Sequence, residues 1–372
     1  MCESHRVGLI SWDFALRKGG MGRSLAWIAS ALREGGIVVR VGSPVVGDTE
    51  RALLPVTRCI GGHLLFSLLL PPVLRRWIAR NGVNRLLLPV GPGGVLLWGR
   101  PPMPFDAVVY HTYLQQWRAV PGQRWKRVFV PLERRMLRRA ERIFCFCEDT
   151  ARVLRENMGI AGEKVRVLPH AVAWKGEGCE GGQESKKREK GQKGLCVCIA
   201  RLEERKGVRV LLKAWKIVVQ HVPDARLVIV GRGKQARCID RLIATVGPSV
   251  RRVPHLPQTE LQALVLQAAI ALCPAYLEGF GLAAAEAMAA GTAVIASDVD
   301  GLRSLIVHEH TGLLVPAGDA PSLSAAIVRL LFDDALRDRL AHASFEEARI
   351  RFDASRSARA LVASYDSCTI AA

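Results

Sequence analysis

The chain has 372 residues, 49% of them hydrophobic, and carries 53 Lys and Arg against 34 Asp and Glu for a net charge of +19. That length exceeds one ordinary core and divides most naturally into two domains of under about 200 residues each. An isoelectric point near 10 asks for an anionic partner, for which nucleic acid, an acidic membrane face and a phosphorylated substrate all qualify.

In chain order, the opening MCESHRVGLISWDF lacks the long apolar core of a signal sequence. The runs LLFSLLLPPVL and RLLLPVGPGGVLLW are too short and too interrupted by Pro and Gly to span a bilayer. The expected location is therefore cytoplasmic. The first half begins with a strand RVGLISW, a loop DFALRKGGMG, a helix RSLAWIASALRE stopped at Gly35 and Gly36, and a strand IVVRVGS. Further strand-like runs follow at NRLLLPV, FDAVVYH, ERIFCFC and KVRVLPH.

Between Arg118 and Arg142 nine Arg and Lys face only Glu133 and Glu141. From about Pro131 this segment reads as an amphipathic helix with Leu132, Met136, Leu137 and Ala140 inward. Two readings stand: a solvated helix face, or, with Trp117, Trp125 and Phe129 interleaved, a surface lying on anionic lipid headgroups.

The polar stretch WKGEGCEGGQESKKREKGQKG, Trp174 to Gly194, can bury nothing and marks the domain boundary. The second half alternates regularly: strand GLCVCIA, helix GVRVLLKAWKIVVQH, strand ARLVIVG, helix KQARCIDRLIATVG, strand VRRVPHL, helix QTELQALVLQA and strand AIALCPA. Then come helix LAAAEAMAAG, strand TAVIASD, a single closing helix APSLSAAIVRLLFDDALRDRL and a terminal helix FEEARIRFDASRSARALVASYDS. Such alternation means parallel sheets covered by helices on both faces. The expected division is residues 1–174, a charged linker 175–194, a second lobe 195–345 and a helical tail 346–372. Cys145/Cys147 and Cys196/Cys198, two apart in apolar runs and without zinc-type spacing, read as buried reduced thiols.

The stretch YLEGFGLAAAEAMAAGTAVIASD places Glu278 and Glu286 on either side of a glycine turn that opens a helix. Gly279 and Gly281 allow close backbone approach to a ligand, and the helix start favours an anion. A sugar joined to a ribose by a diphosphate offers hydroxyls at both ends and negative charge between. By spacing alone, Glu286 reads equally as an ordinary exposed helix residue, and the glycines as shaping a turn.

This E-x7-E pair, with GTAVIASD and GLLVPAGD after it, resembles the retaining GT-B glycosyltransferases of family 4. Further matches occur in order: KGGMGRSLAWIASAL for the family's N-terminal Gly-Gly loop, VVYHT for a strand ending in His, LPHAV for an interdomain segment, ARLEERKGVRVLLKAW for a diphosphate loop and LVIVGRG for a Gly-x-Gly turn.

The resemblance implies two Rossmann-like lobes facing across a cleft, the N-terminal one binding the acceptor and the C-terminal one the nucleotide sugar, with the terminal helix crossing back to the first. It implies that Arg201 and Lys206 bind the donor diphosphate and that Glu286 holds the ribose. Glu278 would support the transferred sugar, and His111 would contact it. Gly19 and Gly20 would close over the diphosphate. Gly231, Gly279, Phe280, Gly281 and Leu282 would complete the donor site. No cofactor and no metal is implied, and Asp298 and Asp300 match a family turn rather than a metal site. His170, where the family has Asn, and Arg303 and Ser304, where it has Pro-Glu, depart from the pattern.

The implied activity is sugar transfer with retention of anomeric configuration, in cell-surface polysaccharide, lipopolysaccharide or glycolipid synthesis. The acceptor would be lipid-linked or polysaccharide, met at the inner face of the plasma membrane through residues 118–142. The alternatives are a nucleotide-sugar epimerase of the same architecture, a basic nucleic-acid binder, for which no recognition motif is present, and a catalytically silent scaffold.

Overall fold

The computed structural model describes residues 5–12, 14, 20–43, 62–97, 99–172 and 192–366. Contacts divide the chain into two compact units. One comprises Met1–Arg118, Gly122–Ala171 and Ala354–Ala372, the other Val172–Asp353 with Ala119–Pro121.

The first unit runs β1 (Arg6–Ile10), α1 (Gly20–Glu34), β2 (Val38–Gly42), α2 (Gly62–Asn81), β3 (Arg85–Pro89), β4 (Phe105–Val108), α3 (Tyr113–Ala119), α4 (Val130–Arg139), β5 (Ile143–Cys145), α5 (Glu148–Arg152) and β6 (Val165–Val167). Its six strands form a sheet in the order β2-β1-β3-β4-β5-β6, and every pairing is parallel, Val7 opposite Val39 and Leu87 opposite Asp106 for example. Strands of a parallel sheet are covered on both faces, which is why they appear in sequence as unbroken apolar runs; β4 is buried throughout.

The second unit runs β7 (Gln192–Ile199), α6 (Val208–His221), β8 (Arg226–Val230), α7 (Ala236–Val246), β9 (Val250–Val253), α8 (Gln258–Gln267), β10 (Ala268–Cys273), α9 (Leu282–Ala289), β11 (Ala293–Ser297), α10 (Asp300–Arg303), β12 (Leu313–Val315), α11 (Ala320–Phe332) and α12 (Asp334–Arg351). Its parallel sheet has the order β12-β11-β10-β7-β8-β9. The core gathers Trp215 of α6, Ile270 and Leu272 of β10, Ile295 of β11 and Ile327 of α11. Trp215 is fully buried, with its indole N–H donating to Ser249 Oγ at 3.2 Å.

Three elements differ from the sequence reading, namely the closing helix, the terminal helix and the start of β7, and one run left unassigned there is a helix. The run LLFSLLLPPVL lies in α2, which continues through Pro71 and Pro72, with Phe66, Leu70 and Leu74 buried. Among the described residues no helix is long and apolar enough to cross a membrane. The expected single closing helix is two, because Asp333 leaves helical geometry and its carboxylate caps α12 by accepting the Leu336 N–H at 2.8 Å. The expected terminal helix is likewise divided: α12 continues to Arg351, and α13 (Ala354–Asp366) follows. The polar stretch ends earlier than expected, since β7 already begins at Gln192; residues 173–191 lie outside the described residues.

Helix α13 belongs to the first unit. Val362 packs on Gly35 where any side chain would collide, and Tyr365 is fully buried. Its anchor is Asp106, fully buried on β4 and bound by Arg142 through Nε at 2.9 Å and Nη2 at 2.7 Å. Arg142 also donates to the Ser364 carbonyl and lies 4.3 Å from the Tyr365 ring centroid.

On α4 the inward Met136, Leu137 and Ala140 are buried as the helical period requires, whereas Leu132 is only half-buried. Glu133, counted among the charges of this segment, is fully buried. Its carboxylate accepts the Tyr113 N–H at 3.1 and 2.9 Å, and burial pushes it well above the ordinary carboxylate range despite that bond. The four cysteines expected as buried thiols are free and buried.

Candidate functional site

Strands β7 and β10 are neighbours although they come first and fourth in their unit, so the strand order reverses between them. Loops leaving the carboxyl ends of strands at such a point line the ligand crevice of open parallel sheets. Here they are residues 200–207 and 274–281.

The first loop ends in a tight turn, Glu204–Lys206, closed by Gly207 at φ 64°. A side chain on Gly207 would run into the Pro274 carbonyl, and the Tyr276 N–H donates to the Arg205 carbonyl at 2.8 Å. The two loops are thus joined backbone to backbone, which brings their charged side chains together. Lys206 Nζ donates to Glu278 Oε2 in an ion pair whose side chains are 17% and 15% exposed. Arg205 stands 4.0 Å from Glu278 and 3.4 Å from Glu203. Arg201 pairs with Glu203 at 2.8 Å. Burial pushes the Glu203 carboxyl up, but Arg201, Arg205 and Lys206 together outweigh it and hold the group below its ordinary range. Arg205 is a functional candidate that the sequence reading missed; its adjacency to Lys206 in LEERKG was the available signal.

Gly281, at φ 97°, opens α9, and a Cβ there would meet Leu302 at 2.8 Å. Glycine is therefore required by both conformation and space. Glu286 lies in the second turn of α9 and is buried at 6% exposure, which overturns its reading as an ordinary exposed helix residue. Phe280 is buried, its ring standing edge-on to Phe352 at 5.8 Å, Gly279 is buried, and Leu282 is half-buried. Gly301 supports this turn from below: its N–H donates to the Glu278 carbonyl at 3.1 Å, and a Cβ would lie 2.6 Å from that oxygen. The sequence reading had no role for it. Gly231 follows β8 and packs on the Ala200 carbonyl, so its lack of a side chain lets the first loop lie against β8.

A cavity of about 20 Å³ lies between Lys206, Glu278, Gly281 and the strand-end residues Cys198 and Cys273. That is room for one water. Burial pushes the Cys273 thiol up to about 12. Among the described residues no three His, Cys, Asp or Glu are grouped to hold a metal ion, and Asp298 is engaged by Arg303 at 2.5 Å.

In the first unit Gly20 opens α1, while Gly19 lies outside the described residues. His111 follows β4 and is buried. Gly91, at φ 115°, lies against the His111 carbonyl, 2.7 Å from where its Cβ would stand. His170, one of the departures from the family pattern, is also buried. Its Nδ1 is 2.7 Å from the Ala171 carbonyl, so in the neutral ring Nε2 accepts from the Ser24 hydroxyl at 2.6 Å, while Ser24 Oγ accepts from the Tyr110 hydroxyl at 2.8 Å. Neither Ser24 nor Tyr110 was a sequence candidate.

Burial lowers the His170 pKa to about 4, against the opposing effect of the Ala171 carbonyl. Below its ordinary value of about 6.5 the unfolded chain takes up a proton that the folded protein refuses until about pH 4. Stability is therefore complete above pH 6.5 and falls by about 3 kcal/mol through that window, at roughly 1.4 kcal/mol per pH unit. Urea unfolding at pH 7 and pH 4 should show a drop smaller by that amount in His170→Asn; equal drops in both proteins would remove His170 as the cause.

The Glycosyltransferase Family 4 model matches residues 18–173, and the Glycosyl transferases group 1 model matches residues 182–347. A phosphatidyl-myo-inositol mannosyltransferase of Mycobacterium leprae is 38% identical over 168 residues, which is 44% of this chain and 44% of that protein. The chain thus matches less than half the length of that relative. Among solved structures, a sucrose-phosphate synthase from Thermosynechococcus elongatus superposes with a TM-score of 0.82 at 21% identity, covering 99% of this chain and all of the other. The Anabaena protein HepE in complex with UDP-glucose gives a TM-score of 0.72 at 16% identity, covering 97% of this chain and 99% of that one. At those identities the structural likeness speaks for the fold, which is GT-B.

Proposed function

Since the chain belongs to the group 1 and family 4 glycosyltransferases, with one matched region in each unit, we propose that it moves a sugar from a nucleotide-diphosphate sugar to an acceptor with retention of anomeric configuration. The observation that carries this reading is the Lys206–Glu278 pair at the head of α9, with Glu286 buried on the same helix.

A diphosphate laid over the start of α9 meets the positive end of the helix dipole. It also competes with Glu278 for Lys206, so donor binding moves the cation onto phosphate and releases the carboxylate toward the sugar. As the glycosidic bond breaks, negative charge grows on the leaving diphosphate, and Lys206 with Arg201 and Arg205 opposes it. These cations supply the neutralisation, so the proposed reaction is metal-independent. Glu286 holds the ribose hydroxyls. The roles that the resemblance gives His111, Gly19 and Gly20 are part of the same proposal.

The acceptor we propose is a membrane lipid or lipid-linked saccharide. The name of the mycobacterial relative supports a lipid acceptor, and the HepE complex supports a nucleotide-sugar donor. Residues 118–142 support contact with an anionic surface: Trp125 and Val128 are 60% and 71% exposed, and Arg135, Arg138 and Arg139 are exposed on α4. Arg134 is different, since its Nε is spent on the Met158 carbonyl at 2.7 Å. Arg135, Arg138 and Arg139 changed together to Glu should abolish salt-sensitive binding to phosphatidylglycerol vesicles; undiminished binding would end the membrane reading.

The reaction is tested by incubating the protein with α-linked UDP-, GDP-, ADP- and dTDP-sugars and a bacterial membrane lipid extract, then reading the anomeric proton of the product. An α-linked glycolipid is expected. A β-linked product contradicts retention, and conversion of the donor sugar without acceptor supports the epimerase instead.

A further inference from the structure

A second cavity, of about 210 Å³, opens on the other side of the loop that carries Lys206. Its walls are Glu204, Gly207, Arg209, Val210, Lys213, Gln235 and Tyr276, and it shares no lining residue with the small cavity at Glu278. At roughly 30 Å³ per water it has room for about seven waters, enough for a small ligand. Arg209 and Lys213 are one turn apart on the exposed side of α6. Neither makes an ion pair within 4 Å among the described residues, in contrast to Arg201, Arg205 and Lys206 in the neighbouring loop. Opposite them stand groups suited to hydroxyls: the Tyr276 phenol, and Glu204, which accepts from the Gln235 amide.

We propose that this cavity is an accessory site for a small phosphorylated sugar, its phosphate held by Arg209 and Lys213 and its hydroxyls by Glu204, Gln235 and Tyr276. A guanidinium and an ammonium side by side suit a phosphate monoester, and one carboxylate with a phenol and an amide suits a polyol. The site stands on the cavity alone. Its consequence for the reaction rests on the donor reading above: Tyr276 is bonded to the Arg205 backbone, so occupancy bears on the loop that presents Lys206.

The test is titration calorimetry with glucose 6-phosphate, glucose and inorganic phosphate as probes, on the wild type, the exposed double variant Arg209→Ala/Lys213→Ala, and Lys206→Ala. Saturable glucose 6-phosphate binding is expected, weakened at least tenfold in the double variant and unchanged in Lys206→Ala, with glucose and phosphate each binding more weakly. No binding of glucose 6-phosphate, equal binding by the double variant, or loss in Lys206→Ala alone would overturn the site. A parallel titration with UDP and GDP reports on the donor site separately, because its failure with glucose 6-phosphate binding intact would count against the glycosyltransferase reading and leave the accessory site standing.

Discussion

Lys206→Ala is expected to lower kcat/KM by about 10²–10³-fold, the effect of removing one charge-stabilising donor from a transition state. The fold should survive the change. Arg205 remains 4.0 Å from Glu278, so the carboxylate keeps a cation nearby, and the Gly207 turn and the Tyr276–Arg205 backbone bond do not involve the lysine side chain. A melting temperature within a few degrees of the wild type, together with the lost rate, separates chemistry from folding. Lys206→Arg should recover part of the rate, since it restores the charge but not the reach of the ammonium. A variant with wild-type kcat/KM would show that Lys206 serves only to pair with Glu278.

Asp106→Ala is expected to cost about 3–5 kcal/mol of stability, the range for breaking a buried ion pair by removing one partner. Asp106 is fully buried between Arg142 and Arg85, the latter at 3.2 Å. Arg85 retains Glu141 at 2.5 Å, but Arg142 loses its only carboxylate partner among the described residues. Because Arg142 also holds the Ser364 carbonyl and lies over the Tyr365 ring, α13 should loosen first. Urea unfolding measures the loss, and limited proteolysis should cut near residues 352–354 sooner than in the wild type. A cost under about 1 kcal/mol would mean that apolar packing by Leu361 and Tyr365 holds the helix unaided.

The alternation of strands and helices was legible because strands covered on both faces must be apolar along their whole length. The start of β7 was not, since exposed Gln192 and Lys193 at a strand end look like the polar stretch before them. Nor was α2: proline inside a helix costs about 3 kcal/mol, and only the buried Phe66, Leu70 and Leu74 show what offsets it. The break at Asp333 was hidden because an Asp that caps a helix and an Asp inside one have the same letter.

At the site, the positions of Lys206 and Glu278 on strand-following loops were readable from the order of motifs. Their pairing was not, and neither were the burial of Glu286, the support from Gly301 or the place of Arg205, because each depends on a partner distant in sequence. Glu133 is a different case: it stands three, four and seven residues before Met136, Leu137 and Ala140, so the helical period already puts it on the buried face, but its partner, the Tyr113 N–H, is distant in sequence.

The central claim is that the loops leaving β7 and β10, with α9, bind a nucleotide-diphosphate sugar. Ligand-observed NMR against UDP-, GDP-, ADP- and dTDP-sugars, with Lys206→Ala and Glu286→Ala alongside, tests it most directly. Selective binding of one donor, weakened at least tenfold in both variants, is the predicted result. Binding that neither variant weakens, or no binding of any donor by the folded protein, would contradict it.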